Sequence, residues 1–285
     1  MKYNFLKSYS KMNLFLNVGK KYKKTKLHNI QSLVFLINLY DEIKIKRIKA
    51  KKDKIKFLGT FAKHVKDSNN SILRALHLLR TTRLLNNGFT YQIEIKKKIP
   101  VFSGLGGGSS NAASLIKYFL KGKKFSKENL DYFSAKLGSD LRLFFHSNQI
   151  FQKDLKNIHN IKNKNLFYFI IVYPFLKCST KEIYSKVISY QAIKSDNFNL
   201  SSRFKTLIKL KAKKNHLQKI VIKKFPIINK ILKELKKTND CQFSRLTGSG
   251  SACFGLFLTK KSAELGLKKI KKKFPKYWCV ISKTI

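Results

Sequence analysis

Residues Ile99 to Ser114 read IPVFSGLGGGSSNAAS, and this stretch decides the reading of the whole chain. Glycine costs about 0.5–1 kcal/mol relative to alanine inside a helix or strand. Gly106, Gly107 and Gly108 in succession therefore mark a backbone conformation, or a close approach, that side chains would block. The stretch follows an alternating segment, Tyr91, Ile93 and Ile95, that reads as a strand. It leads into Ala112, Ile116, Phe119 and Leu120, which fall on one helical face. A glycine-rich turn that opens a helix suits an anion, because bare N–H groups and the positive end of the helix dipole point at the same place. Ser109 and Ser110 add hydroxyl donors, and one of them is suited to Mg²⁺. A tight strand-to-helix turn packed against other backbone is the plain structural alternative. The common phosphate loops do not fit: there is no Gly-Lys-Ser/Thr ending, and Ser109 stands where the dinucleotide fingerprint needs its third glycine.

Composition bounds the rest. The chain has 285 residues and 43% hydrophobic content, enough for two domains with real cores. Its start carries no basic–apolar–small leader, and its longest apolar run, Leu166 to Leu176, is too short to span a bilayer. Cys178, Cys241, Cys253 and Cys279 are scattered without metal-ligand or redox spacing, as are the six histidines. A soluble, cytoplasmic protein with free thiols is expected. Lys+Arg number 62 against 14 acidic residues, a net charge of +48. Such a charge suggests nucleic acid. Nearly all of it is lysine, however, and spread from end to end, whereas arginine makes the bidentate contacts. Nucleic acid is not expected as the main partner. The positive field would still draw in a polyanionic small substrate.

Along the chain, Asn13 to Val18 reads as a buried strand, and Ile30–Leu39 with Asp41–Ile48 as a strand pair. Ser71 to Leu85 reads as a helix capped by Asn69, Asn70 or Ser71, and Lys127 to Leu137 as one capped by Ser126. In the second half, Leu166–Tyr173, Ala252–Leu258 and Trp278–Ile281 read as strands. Thr180–Ser189, Ser202–Leu210, Pro226–Lys237 and Lys261–Phe274 read as helices. Strands and helices mix without strict alternation, so the expected class is α+β, divided as 1–150 and 151–285.

Pro100 to Ala113, P-x-x-x-G-L-G-G-G-S-S-x-A-A, closely resembles the ATP-binding motif of the GHMP kinases, the family of galactokinase, homoserine kinase and mevalonate kinase. Five more segments resemble that family in the right order. SKMNLFL (Ser10–Leu16) stands near the start, followed by His28 with Gln31 to Phe35. LGSD (Leu137–Asp140) and STKEIY (Ser179–Tyr184) come next, and RLTGSGSACFGLF (Arg245–Phe257) closes the series. The longer G-L-G-G-G-S-S is similar to the branch acting on a cytidine diphosphate-linked methylerythritol, in the non-mevalonate route to isoprenoid precursors.

The resemblance implies a two-domain GHMP kinase fold, with an N-terminal ribosomal-S5-like domain and a C-terminal ferredoxin-like α/β sandwich. It implies ATP and Mg²⁺, with the metal's ligands unspecified. ATP would lie on Pro100, Val101, Phe102, Ser103, Gly104, Leu105, Gly106, Gly107, Gly108, Ser109 and Ser110. Asp140 would accept the proton of the attacking hydroxyl. Lys11 would lower that hydroxyl's pKa and hold Asp140 ionised. His28 would hydrogen-bond the cytosine and Tyr184 stack on it. Asn70 resembles a residue near the adenine pocket, and a helix cap explains it equally well. The LTGSGS turn would fold over the phosphates or the methylerythritol end. One departure stands out: Leu27 occupies the place of the family's tyrosine beside the histidine, so the second face of the cytosine site lacks its usual ring. Tyr22 is a nearby aromatic that would substitute. Another GHMP alcohol kinase, of mevalonate or homoserine type, and a lysine-rich RNA-binding protein are the alternatives.

Overall fold

The computed structural model describes residues 2–23, 25–66, 68–123, 125–162, 165–191, 193 and 202–285. In chain order the elements are β1 (Asn4–Lys21), β2 (His28–Ile48), β3 (Lys54–Leu58), α1 (Ser71–Thr81), β4 (Thr90–Lys96), α2 (Gly107–Leu120) and α3 (Lys127–Leu137). A 3-10 helix at Ser139–Phe145 follows, then β5 (Gln149–Gln152), β6 (Ile158–Asn160), β7 (Tyr168–Tyr173), α4 (Thr180–Ser185), α5 (Arg203–Ala212) and α6 (Gln218–Lys224). The chain finishes with α7 (Ile227–Lys236), β8 (Phe243–Leu246), β9 (Cys253–Phe257), α8 (Lys260–Lys273) and β10 (Trp278–Lys283). The class is α+β. None of the described helices is long and apolar enough to cross a membrane.

The chain forms two compact units. The first comprises Met1–Ser10, Leu39–Val101 and Gly106–Phe145; the second comprises Lys11–Asn38, Phe102–Leu105 and His146–Ile285. In the first unit β3 pairs parallel with β4, and β4 antiparallel with β2. Ile43 and Ile45 of β2 lie opposite Ile95 and Ile93 of β4, and all four are fully buried. The edge of Tyr91 meets the ring of Phe119, which packs β4 against α2. Helix α1 packs against α2 and α3, and the 3-10 helix packs against α2 and α3. The start of α1 is fixed by Asn70, whose Oδ1 accepts from the N–H groups of Ile72 and Leu73. Ser126 caps α3 by accepting from Asn129. Each such cap is worth about 0.5–2 kcal/mol.

In the second unit an antiparallel sheet runs β10-β7-β9-β8. Helix α7 packs on β8 and β9, and α8 on β7 and β10. The apolar stripe Ile228, Ile231, Leu232 and Leu235 of α7 is buried in the same core as Ile170, Val172, Leu246 and Phe257. The first half of β2 pairs with β5, and β5 with β6.

The expected strand pair around Asp41 is one strand of 21 residues. The expected break falls at Tyr40, with Asp41 opening the second strand, and a bare carboxylate does not ordinarily belong inside a sheet. Here it is fully buried and paired with Lys97, and it also accepts the N–H groups of Lys98 and Ile99 at 2.7 and 2.9 Å. With its lone pairs satisfied it stays in the strand. β1 also extends well beyond Asn13–Val18, because its polar residues Ser8, Ser10, Lys11 and Asn13 are buried. The helix expected over Thr180–Ser189 ends at Ser185.

Candidate active site

The glycine stretch is shaped by three left-handed residues, Phe102 (φ 58°), Gly104 (φ 78°) and Gly106 (φ 72°). Gly106 stands at the N-cap of α2 and supplies no capping side chain. The first intrahelical bond runs from the Ser110 N–H to the Gly106 carbonyl. The N–H groups of Gly107, Gly108 and Ser109 therefore face out of the helix end, where an anion is stabilised. The two serines diverge. The Ser110 hydroxyl is buried, donates to the Tyr9 carbonyl at 2.6 Å and sits 2.7 Å from the Ser8 hydroxyl, so it fastens α2 to β1. Ser109 is only half-buried.

The glycines also differ. A Cβ on Gly107 would lie 3.0 Å from Ile99 Cγ2 and 3.4 Å from Lys97 Nζ, so its bareness serves packing. A Cβ on Gly108 would meet only Ser71, at 3.6 Å, an ordinary contact. The segment entering the loop is held by Asp41, through Lys97 and the N–H groups of Lys98 and Ile99.

Asp140 lies in the same unit as Gly106–Ser110. It is half-buried on the 3-10 helix, preceded by Gly138 at φ 114° and followed by buried Leu141, Leu143 and Phe144. Asn70 is the cap of α1, and its neighbour Ser71 is the residue facing Gly108.

The second unit gathers Lys11, Phe102–Leu105 and the LTGSGS turn. The Lys11 N–H donates to the Leu105 carbonyl at 3.0 Å, and its ammonium donates to Asn13 Oδ1. Lys11 is 4% exposed. Asn13 is oriented in turn: its Nδ2 donates to Ser32 Oγ at 2.8 Å, Ser32 donates to the Phe15 carbonyl, and the Asn13 N–H donates to Thr247 Oγ1. The turn comes close enough that a Cβ on Gly248 would sit 3.3 Å from Lys11 Nζ. A Cβ on Gly104 would sit 2.2 Å from the Thr247 carbonyl oxygen. Asn215 Nδ2 donates to the carbonyls of Leu246 and Gly248, both at 2.8 Å, and steadies the turn. The hydroxyls of Thr180 and Ser249 lie 2.9 Å apart and tie it to the start of α4. Sequence reasoning assigned no role to Asn13, Ser32 or Asn215; Asn13 and Ser32 stand inside the quoted motifs, and Asn215 carries no local signal.

A third cluster in this unit surrounds His28. The histidine is 6% exposed and its Nδ1 lies 3.1 Å from the Gly19 carbonyl. Its ring is 5.6 Å from that of Tyr184 on α4 and 5.7 Å from that of Tyr190, with inclinations of 37° and 38°. Leu27 is 51% exposed. Tyr22 closes the turn before β2, its N–H donating to the Leu27 carbonyl. Burial, aided by the negative charge of Asp154, raises the Tyr22 phenol above its ordinary pKa. Among the described residues no three His, Cys, Asp or Glu side chains converge on one point. The four cysteines are free and buried.

Two family models match: the GHMP kinases N terminal domain over residues 70–146 and the GHMP kinases C terminal domain over residues 196–276. A protein of Pelagibacter ubique named 4-diphosphocytidyl-2-C-methyl-D-erythritol kinase is 38% identical, with 98% of each chain covered. A protein of the same name from Buchnera aphidicola is 34% identical, covering 90% of this chain and 87% of its own. Among solved structures, a 4-(cytidine 5'-diphospho)-2C-methyl-D-erythritol kinase superposes with a TM-score of 0.74 at 18% identity, over 99% of this chain and 100% of that one. The homoserine kinase of Cytophaga hutchinsonii gives 0.70 at 15% identity, over 100% and 97%. With both family domains matched and near-complete relatives above 30% identity, the chain belongs to the GHMP kinase family, among the relatives named 4-diphosphocytidyl-2-C-methyl-D-erythritol kinase.

Proposed function

We propose that the protein transfers the γ-phosphoryl group of ATP to the 2-hydroxyl of 4-diphosphocytidyl-2-C-methyl-D-erythritol, a step toward isoprenoid precursors by the non-mevalonate route. The observation that carries the choice of alcohol is His28. It is buried with its Nε2 unpartnered among the described residues, and it stands beside two tyrosine rings. Mevalonate and homoserine offer no ring for such a place; a cytosine does. The family matches end at residue 146 and resume at 196, which supports a functional boundary near residue 150, between 1–150 and 151–285.

Phosphoryl transfer asks for charge neutralisation, alignment and an acceptor for the nucleophile's proton. Residues Pro100–Ser110 bind ATP, with the N–H groups of Gly107, Gly108 and Ser109 directed at its phosphates. Asp140 takes the hydroxyl proton. Lys11 stabilises the developing oxyanion, and its fixed bond to Asn13 means little reorganisation is needed when charge appears there. Mg²⁺ at nucleotide sites keeps several waters and is held by one or two carboxylates plus substrate phosphates. Ser109 would offer it a hydroxyl on the first turn of α2. The metal would supply neutralisation of phosphate charge.

The test is ADP release from Mg·ATP with the cytidyl alcohol, mevalonate and homoserine in parallel. Release with the cytidyl substrate alone supports the reading. Turnover of mevalonate or homoserine, with none of the cytidyl alcohol, overturns it.

A further inference from the structure

The place opposite His28 that resembling sequences fill with a tyrosine holds Leu27, an aliphatic residue 51% exposed. Another aromatic stands beside the histidine. The Tyr190 ring centroid is 5.7 Å from that of His28, at nearly the distance and inclination of Tyr184. Tyr190 is 43% exposed, so part of its ring remains open to a ligand. Its position is fixed by backbone. The N–H of Gln191 donates to the Val18 carbonyl at 2.9 Å, and Ile193 lies close enough to Gly19 that a Cβ there would meet its Cδ1 at 3.0 Å. Gly19 is also the residue whose carbonyl holds His28 Nδ1. The end of β1 thus carries both the histidine's anchor and that of Tyr190.

The hydrogen bond fixes what the histidine presents. A carbonyl only accepts, so Nδ1 carries the hydrogen, and in the neutral ring Nε2 is then an acceptor. That atom is buried and has no partner among the described residues. It suits the amino group of a planar base lying between aromatic side chains.

We propose that Tyr190 is a specificity-determining residue, its ring supplying the aromatic wall of the base pocket that position 27 lacks. The inference rests on the cytidyl reading above. It also replaces Tyr22 as the compensating aromatic.

The experiment is calorimetric titration of the full chain with CDP, for the native protein and for Y190A, Y190L and Y190F, with melting temperatures as a fold control. Base–aromatic stacking predicts about tenfold weaker CDP binding in Y190A and Y190L, and binding within about twofold of native in Y190F. The KM for ATP should stay unchanged in all three. Should Y190A fail to fold, Y190L carries the comparison. Y190A or Y190L binding CDP as tightly as the native chain overturns the inference while leaving the cytidyl reading intact. An equal loss in Y190F overturns stacking as the cause. A native chain that does not bind CDP overturns the cytidyl reading, and Tyr190's role with it.

Discussion

Replacing Gly108 by alanine separates what the fold needs from what a phosphate needs. Gly108 lies in the first turn of α2, has no left-handed φ, and would place a methyl group 3.6 Å from Ser71 Oγ with no closer neighbour. Alanine is preferred to glycine inside a helix by about 0.8–1 kcal/mol, and close to the N-terminus by about half of that. G108A is therefore expected to raise the melting temperature, by about 1–2 °C for a chain of this size. On the proposed reading the same methyl group would crowd a phosphate held by the N–H groups at the start of α2. Losing one charge-assisted hydrogen bond costs about 1.5–3 kcal/mol, which is about 10- to 150-fold in ATP affinity. The assay is a pair of measurements on one sample: calorimetric melting without ligand, and the KM for ATP. A raised melting temperature with unchanged ATP affinity would refute the assignment of Gly108 to phosphate approach. A lowered one would refute the claim of open space around it.

Asp140→Asn and Lys11→Ala should each remove most of kcat while leaving the melting curve in place; near-normal turnover in either would withdraw its role. Asp41→Asn leaves the buried Lys97 ammonium without its counter-charge, so a loss of about 3–5 kcal/mol is expected in urea unfolding. A loss below about 1 kcal/mol would mean that water reaches the pair. Burial pushes the thiols of Cys178, Cys241 and Cys279 up to about 11, and that of Cys253 higher still. The folded state therefore holds protons that the unfolded chain gives up near its ordinary value of 9.0. Stability from this source is intact below pH 9 and falls as pH rises through 11. At pH 8 a disulfide reagent should label no thiol of the native protein and all four after denaturation; rapid labelling of any native thiol would contradict the burial.

The regular elements with clean periodicity were legible. Helix α7 and its stripe, α3 with its Ser126 cap, and strands β7 and β9 fall within a few residues of their expected places. Two of the departures involve buried polar groups with partners far along the chain. The break read at Tyr40, beside Asp41, is absent because Asp41 finds Lys97, 56 positions away. The polar first half of β1 does not read as strand, since Ser8 finds its partner, Ser110, 102 positions away. Short strands such as β5, β6 and β8 have too few residues for alternation to rise above noise. The glycines that open α2 were legible because their signal is local: bare backbone where a helix begins. The placement of Tyr190 beside His28 was not, since it depends on the bond between Gln191 and Val18.

The close passage of Gly104 against Thr247 bears on how the protein is made. A ribosome delivers Gly104 well before the turn from Leu246 to Ser251 that it packs against. At about 5–20 residues per second, the interval is of the order of ten seconds. During that time Phe102–Leu105 has none of its contacts with Thr247, Gly250, Ser251 or Ala252. A nascent or truncated chain stopping at residue 146 thus carries the glycine motif without the backbone that Phe102–Leu105 leans on.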